Sequence, residues 1–237
     1  MSNQSSLSSL SSLSSPAPYR RAAIVIAGST LLVFLALAIH PQVSNPHSVS
    51  DIVNQVASHA MHDEFVHGFI ILLLAAIAGG FSIFSDVLGA ERDSVRFGKT
   101  AYLVGYGAMT AAMLFDGFVT PIFAQLYANA NPVDTQTVFL ILSAIGVFIQ
   151  VLTKAGIIAM SAAFIAWAYA LHSNAKFSAW AAKLAWIGYA AGVISIGVIL
   201  FFSVILGPHS LIAIFAVHAI WNFSVAAILM HATKAIE

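Results

Sequence analysis

The chain has 237 residues, of which 60% are apolar and 8% are charged, and its formal net charge is zero. A soluble domain usually carries about 25% charged residues, so this composition excludes an ordinary water-exposed surface. Without net positive charge there is no basic field for nucleic acid, and the absence of cysteine excludes disulfides and cysteine nucleophiles. We therefore predict an all-α integral membrane protein whose main partner is the lipid bilayer.

The chain begins with a serine-rich segment, residues 1–19, in which Ser-Ser-Leu repeats and apolar side chains are too few to form a core. We expect this tail to be disordered and residues 20–237 to form a single transmembrane domain. Arg20 and Arg21 precede the first apolar run, 22–39. A signal peptide is the alternative reading of this run, but its length and the long tail before it favour an uncleaved first span.

The polar stretch before the second span, 48–67, is amphipathic. Apolar residues recur at helical spacing from Ile52 to Ala60. Ser48 or Ser50 can cap the N-terminus of such a helix, because both side chains accept a backbone hydrogen bond. We therefore predict an extra amphipathic helix in outer loop 1.

Five further spans follow the first, since a helix needs about 20 apolar residues to cross the hydrocarbon core. They cover residues 67–88, 100–121, 150–171, 186–206 and 210–232. Residues 132–172 are helix-compatible throughout, and one helix of that length would reach about 60 Å, twice the hydrocarbon thickness. We predict a second outer helix over 134–148, lying on or above the membrane surface, before the span 150–171. A single long helix that projects from the membrane is the alternative.

The positions of lysine and arginine predict the orientation, because these residues concentrate in cytoplasmic loops. With six transmembrane helices and both the N- and C-termini cytoplasmic, eight of the nine basic residues fall on the inner side. The exception is Lys154, within or at the rim of the fourth span. We therefore predict a multi-pass protein of the cell inner membrane.

A cluster of histidines and carboxylates lies where the chain enters the second span. At about 100° per residue, the side chains of His59, His62, Asp63 and His67 share one arc of a helix. Imidazole and carboxylate are suitable ligands for Zn²⁺ or a copper ion. The same residue types are also ordinary at a membrane–water interface, which is the alternative interpretation. The sequence therefore predicts a candidate metal site with these ligands.

Polar residues within the other spans fall in the same outer half of the membrane. They predict a ligand pocket lined by His67, Asp116, Lys154, His218 and Asn222. Because a charge at membrane depth must find a partner or neutralise, we expect Asp116 and Lys154 to form an ion pair. Haem is disfavoured because its axial ligands must face each other at similar depth, whereas His218 lies about 14 Å below the outer boundary, where His67 sits.

Three functions remain open at this point. The protein binds a small ligand or a metal ion in an outward-facing pocket, or it is a structural or accessory subunit that docks a partner membrane subunit. The third possibility is a membrane-embedded lipid-modifying or hydrolytic enzyme. No nucleophile elbow and no His-Glu-x-x-His motif is present, so no catalytic residue is assigned. Transport is disfavoured because the inner halves of the spans are almost wholly apolar.

Overall fold

The computed structural model describes residues 17–128, 131–174, 177–202 and 205–234, and every regular element in these ranges is helical. The helices are α1 (Ala17–Ala38), α2 (Val49–Ser58), α3 (Ala60–Leu88), α4 (Asp93–Leu114), α5 (Thr120–Leu126), α6 (Pro132–His172), α7 (Ala179–Phe201) and α8 (Pro208–Lys234). A π-helical segment, Phe115–Val119, joins α4 to α5 directly.

Six of these helical stretches are long and apolar enough to cross a membrane, which confirms the predicted class of protein and the number of candidate spans. They are α1, α3, the continuous stretch Asp93–Leu126, α6, α7 and α8. Of the tail predicted over residues 1–19, residues 1–16 lie outside the described part of the chain. Residues 17–19 belong to α1. In the structure α1 is part of the bundle, because it packs against α3 and α8.

Aromatic rings form the centre of the bundle. Phe81 stacks on Trp167 with ring centroids 4.7 Å apart and an interplanar angle of 2°. Phe84 meets both Trp167 and Trp221 edge-on, with centroids 6.2 Å apart in each pair. All four side chains are buried. Because these residues belong to α3, α6 and α8, their contacts hold three spans together.

A close helix–helix contact joins α4 and α6. A Cβ on Gly105 would lie 2.8 Å from the Gly156 carbonyl oxygen, and a Cβ on Gly156 would lie 3.0 Å from the Gly105 carbonyl oxygen. Small residues allow transmembrane backbones to approach this closely, and the approach gains van der Waals contact that lipid cannot replace. The pair therefore fixes the depth of α4 relative to α6.

The break that the sequence predicted near residue 149 is wrong, because α6 runs continuously from Pro132 to His172. The alternative, one long helix, is the observed structure. Gly156 lies within this unbroken helix and provides the close contact with α4. The backbone of Gly156 remains helical, and its lack of a side chain is what allows α4 to approach.

The first part of α6 extends beyond the α7–α8 connection. Gln150 Nε2 donates to the Leu206 carbonyl oxygen at 2.6 Å, and the Leu206 N–H donates to Gln150 Oε1 at 2.8 Å. These two hydrogen bonds hold Leu206, in the α7–α8 connection, beside Gln150 of α6. Residues 132–149 of α6 therefore reach about 27 Å past it.

A small second core forms around this extension, where α2 packs against α5 and α6. Its buried residues are Val53, Ala124 and Val138. As predicted, Ser48 caps α2, since its Oγ accepts the Asp51 N–H at 3.1 Å. The helix is shorter than the polar stretch 48–67 suggested, because it ends at Ser58 and α3 begins at Ala60.

Replacement of Gly105 by alanine is expected to lower the free energy of unfolding by about 1–3 kcal/mol, because the new methyl group overpacks the α4–α6 contact. Gly107→Ala is the control on the same helix, since a Cβ there would meet nothing within 4 Å. It is expected to be neutral or to stabilise by up to about 1 kcal/mol. Thermal unfolding in detergent compares the two, and equal melting temperatures would contradict the close contact.

Candidate functional site

Two histidines meet at one end of the bundle, which we call the histidine end. His40 follows the last turn of α1, and His67 lies near the start of α3, which packs alongside α1. Their Nε2 atoms are 3.2 Å apart, and their rings are nearly perpendicular with centroids 4.8 Å apart. His67 is 3% exposed, so this contact is largely shielded from solvent.

Backbone carbonyl groups determine which ring nitrogens of this pair carry hydrogen. His67 Nδ1 lies 2.9 Å from the Asp63 carbonyl oxygen, and His40 Nδ1 lies 2.7 Å from the Pro41 carbonyl oxygen. Because a carbonyl oxygen can only accept, both Nδ1 atoms must donate. In each neutral imidazole the lone pair is therefore on Nε2, and the two lone pairs face each other.

Two carboxylates adjoin the histidine pair. Asp116 Oδ2 lies 3.2 Å from His67 Nε2. Asp63 Oδ1 lies 3.9 Å from His67 Nδ1 and is buried without a hydrogen-bond partner among the described residues. One ligand atom from each of His40, Asp63 and His67 lies within 4.8 Å of the others. We call these three residues and Asp116 the His/Asp cluster.

The π-helical segment places Asp116 in the cluster. A π-helical turn interrupts the α-helical hydrogen bonding and changes the direction of the side chains that follow, and such turns are frequent at functional sites. Gly117 allows the turn to approach α3, because a Cβ there would overlap His67 Cβ and Cγ. Asp116 thus contacts His67 of α3. The predicted ion pair with Lys154 does not form, since the ion pairs within 4.0 Å in the described ranges do not include this lysine.

The predicted metal ligands divide into two groups. Asp63 and His67 belong to the His/Asp cluster, whereas His59 and His62 lie outside it. His59 separates α2 from α3, and His62 is exposed, about 140° from His67 around α3. Sequence reasoning missed His40. Its position directly after the first span was the available signal, because under the six-span arrangement it lies at the same end as His67.

A cavity of about 80 Å³ adjoins the cluster and is lined by His40, His67 and Asp116. Apolar side chains, including Leu37 and Ile70, form its other walls. A water molecule takes about 30 Å³ of liquid volume, so the cavity has room for a small polar ligand beside the His/Asp cluster.

The ligand pocket predicted from sequence is divided in the structure. His218 and Asn222 line a second cavity of about 20 Å³ deeper in the bundle, and Lys154 lines neither cavity. Along α3 the second cavity is bounded by Leu74 and Ile77, about one to two turns beyond Ile70. An apolar layer one turn thick therefore separates two polar sites that the sequence had placed together.

Polar side chains at the second cavity connect three spans. His218 Nε2 lies 3.2 Å from Ser161 Oγ, and Asn222 Nδ2 donates to Thr30 Oγ1 at 3.1 Å. All four side chains are buried. The bonds join α8 to α6 and to α1. Sequence reasoning did not identify Thr30, because one threonine in an apolar run has no periodic signal.

No known protein family matches the chain, and neither a curated protein nor a solved structure matches it. The functional argument therefore depends on the geometry of the residues. That geometry consists of a His/Asp cluster with an adjoining cavity and a smaller, more deeply buried polar site.

The Thr30–Asn222 hydrogen bond is expected to stabilise the bundle by about 0.6 kcal/mol and by no more than about 1.7 kcal/mol, the range found between transmembrane helices. A double-mutant cycle with Thr30→Val and Asn222→Ala measures this coupling through unfolding in detergent. If the losses of unfolding free energy in the two single variants add up to the loss in the double variant, the two side chains do not interact.

Proposed function

We propose that this protein binds one divalent transition-metal ion through the His/Asp cluster, with His40, His67 and Asp116 as ligands and Asp63 beside them. The observation that carries the proposal is the convergence of two imidazole lone pairs and a carboxylate oxygen. His67 Nε2 lies 3.2 Å both from His40 Nε2 and from Asp116 Oδ2. An imidazole lone pair with an electron-rich atom 3.2 Å away on each of two neighbours is repelled by both unless a cation lies beside it.

The separations support a metal ion as that cation. Two nitrogens bound to one tetrahedral Zn²⁺ at about 2.0–2.1 Å lie about 3.3 Å apart. The bonds from both Nδ1 atoms to backbone carbonyl groups also match the usual second shell of metal-bound histidines, which fixes the tautomer and the orientation of the ring. Asp63 Oδ1, which is buried and has no hydrogen-bond partner among the described residues, gives a further carboxylate oxygen that a cation would compensate.

The ligand types favour a particular group of metals. Imidazole nitrogen suits zinc and copper, whereas Mg²⁺ and Ca²⁺ prefer sites made of oxygen ligands. Because the chain has no cysteine, a site based on thiolates is excluded. Zn²⁺ is therefore the first candidate, with Cu²⁺ as the competing ion.

The adjoining cavity supports a role beyond structural metal binding. Structural zinc sites are closed by four protein ligands, whereas sites that act on a ligand keep a position open. The cluster supplies three direct ligands, and the 80 Å³ cavity lies beside His40, His67 and Asp116. The proposed function is therefore binding of a small polar ligand at a metal ion. The distribution of basic residues supports an outward-facing site in an inner-membrane protein.

Protein purified in detergent without chelator is expected to contain close to one equivalent of zinc or copper per chain. His40→Ala and His67→Ala should each lower metal affinity more than about 10-fold, because loss of a ligand exceeds the effect of losing a second-shell partner. Elemental analysis by mass spectrometry, followed by titration of the stripped protein with Zn²⁺, measures both quantities.

His62→Ala is the matched control, since His62 is exposed and lies outside the cluster. It should bind metal like the unaltered protein. Absence of metal from the unaltered protein, together with no binding of added Zn²⁺ or Cu²⁺, would refute the proposal. The histidine pair would then be held together by a proton.

Gly117→Ala tests the position of His67 without removing a ligand. The added methyl group overlaps the His67 side chain, so we expect metal affinity to fall about 10- to 100-fold, as for loss of a second-shell contact. Gly68→Ala is the control, because a Cβ there would be 3.5 Å from Phe118, an ordinary contact. Equal affinities for the two variants, measured by Zn²⁺ titration, would mean that the close approach of Gly117 does not position His67.

A further inference from the structure

A groove between α3 and α4 has features of a ligand site unrelated to the His/Asp cluster. Its volume is about 300 Å³, at the lower end of the range of small-molecule sites. The α3 wall consists largely of small residues, Ala75, Ala78 and Gly79. A Cβ on Gly79 would meet nothing within 4 Å, so the groove is open above it.

One end of the groove carries a cation. Lys99 lines the groove on α4, less than two turns from the start of that helix. No ion pair within 4.0 Å involves Lys99 in the part of the chain that the structure describes. An ammonium group beside apolar surface needs a negative partner or contact with the interface, and a flexible lysine side chain can provide either.

A second polar group lies at the same end. Trp167 lines the groove and is completely buried, and its Nε1–H has no hydrogen-bond partner among the described residues. That nitrogen lies next to Gly98, the neighbour of Lys99, since a Cβ on Gly98 would be 2.9 Å from it. A buried donor without an acceptor is unfavourable, and an acceptor atom of a ligand would satisfy it.

The geometry points to a binding site for an anionic phospholipid, whose phosphate contacts Lys99 and whose acyl chain lies along Gly79 and the neighbouring alanines. Along α3 the groove extends from Ser82 at the Lys99 end to Ala75, about 10 Å. A groove of this length can hold part of one acyl chain. Basic pockets between transmembrane helices bind anionic head groups by the same combination of charge and apolar contact.

The test compares dioleoylphosphatidylglycerol with dioleoylphosphatidylcholine, each titrated into the full chain in detergent and followed by native mass spectrometry. The unaltered protein should prefer the anionic lipid. Lys99→Gln should reduce that preference about fivefold, the effect of one basic residue near a lipid head group, whereas Lys99→Arg should retain it. Lys183→Gln is the control, because Lys183 is exposed on α7 and does not line the groove.

A second variant tests the apolar part of the groove. Gly79→Leu places a side chain in open space and should weaken binding of both lipids, while Gly197→Leu on α7, which also has nothing within 4 Å of its Cβ, should not. The proposal is overturned if Lys99→Gln and Lys183→Gln lose the preference equally or if Gly79→Leu binds both lipids normally. Displacement of the anionic lipid by millimolar inorganic phosphate would also overturn it, because the site would then recognise free phosphate.

Discussion

The free-energy cost of an unpaired polar group in hydrocarbon governs this structure. Lipid offers no hydrogen bonds, so a polar side chain within a span is stabilised when it finds a partner on another helix. His67 meets His40 and Asp116, while Asn222 meets Thr30, and each of these contacts joins helices that are distant in sequence. These polar contacts therefore act together with the aromatic core and the glycine contact between α4 and α6 in fixing which helices are neighbours.

Close backbone contacts between helices fix the positions of the polar groups. Gly105 and Gly156 bring α4 and α6 together, and Gly117 brings the π-helical turn against His67. Glycine serves both purposes because a missing Cβ permits separations that any side chain would prevent. The His/Asp cluster thus depends on α4 being held at one depth by α6 and on its π-helical turn being held against α3. Ligands held in this way would suit the proposed metal ion, which requires ligands at defined separations.

Two kinds of site occupy different depths of one bundle. The His/Asp cluster lies at the histidine end, where the Asp116 side chain is partly exposed. The groove at Lys99 is lined by small residues along α3 and by aromatic side chains. Between them lies the small polar cavity at His218, while Trp167 of the aromatic core lines the groove itself. The proposed metal site and the proposed lipid site would therefore lie in different parts of the bundle.

Composition and hydropathy alone determined the class of protein and the six candidate spans, because burial in lipid demands long apolar runs whatever the helices contact. The Ser48 cap was also readable, since capping involves only neighbouring residues. Tertiary structure alone decided that α6 is unbroken, that His40 joins His67, and that Asp116 contacts α3 instead of Lys154. These features depend on distances between helices and on a π-helical turn, and neither follows from the periodicity of a single segment.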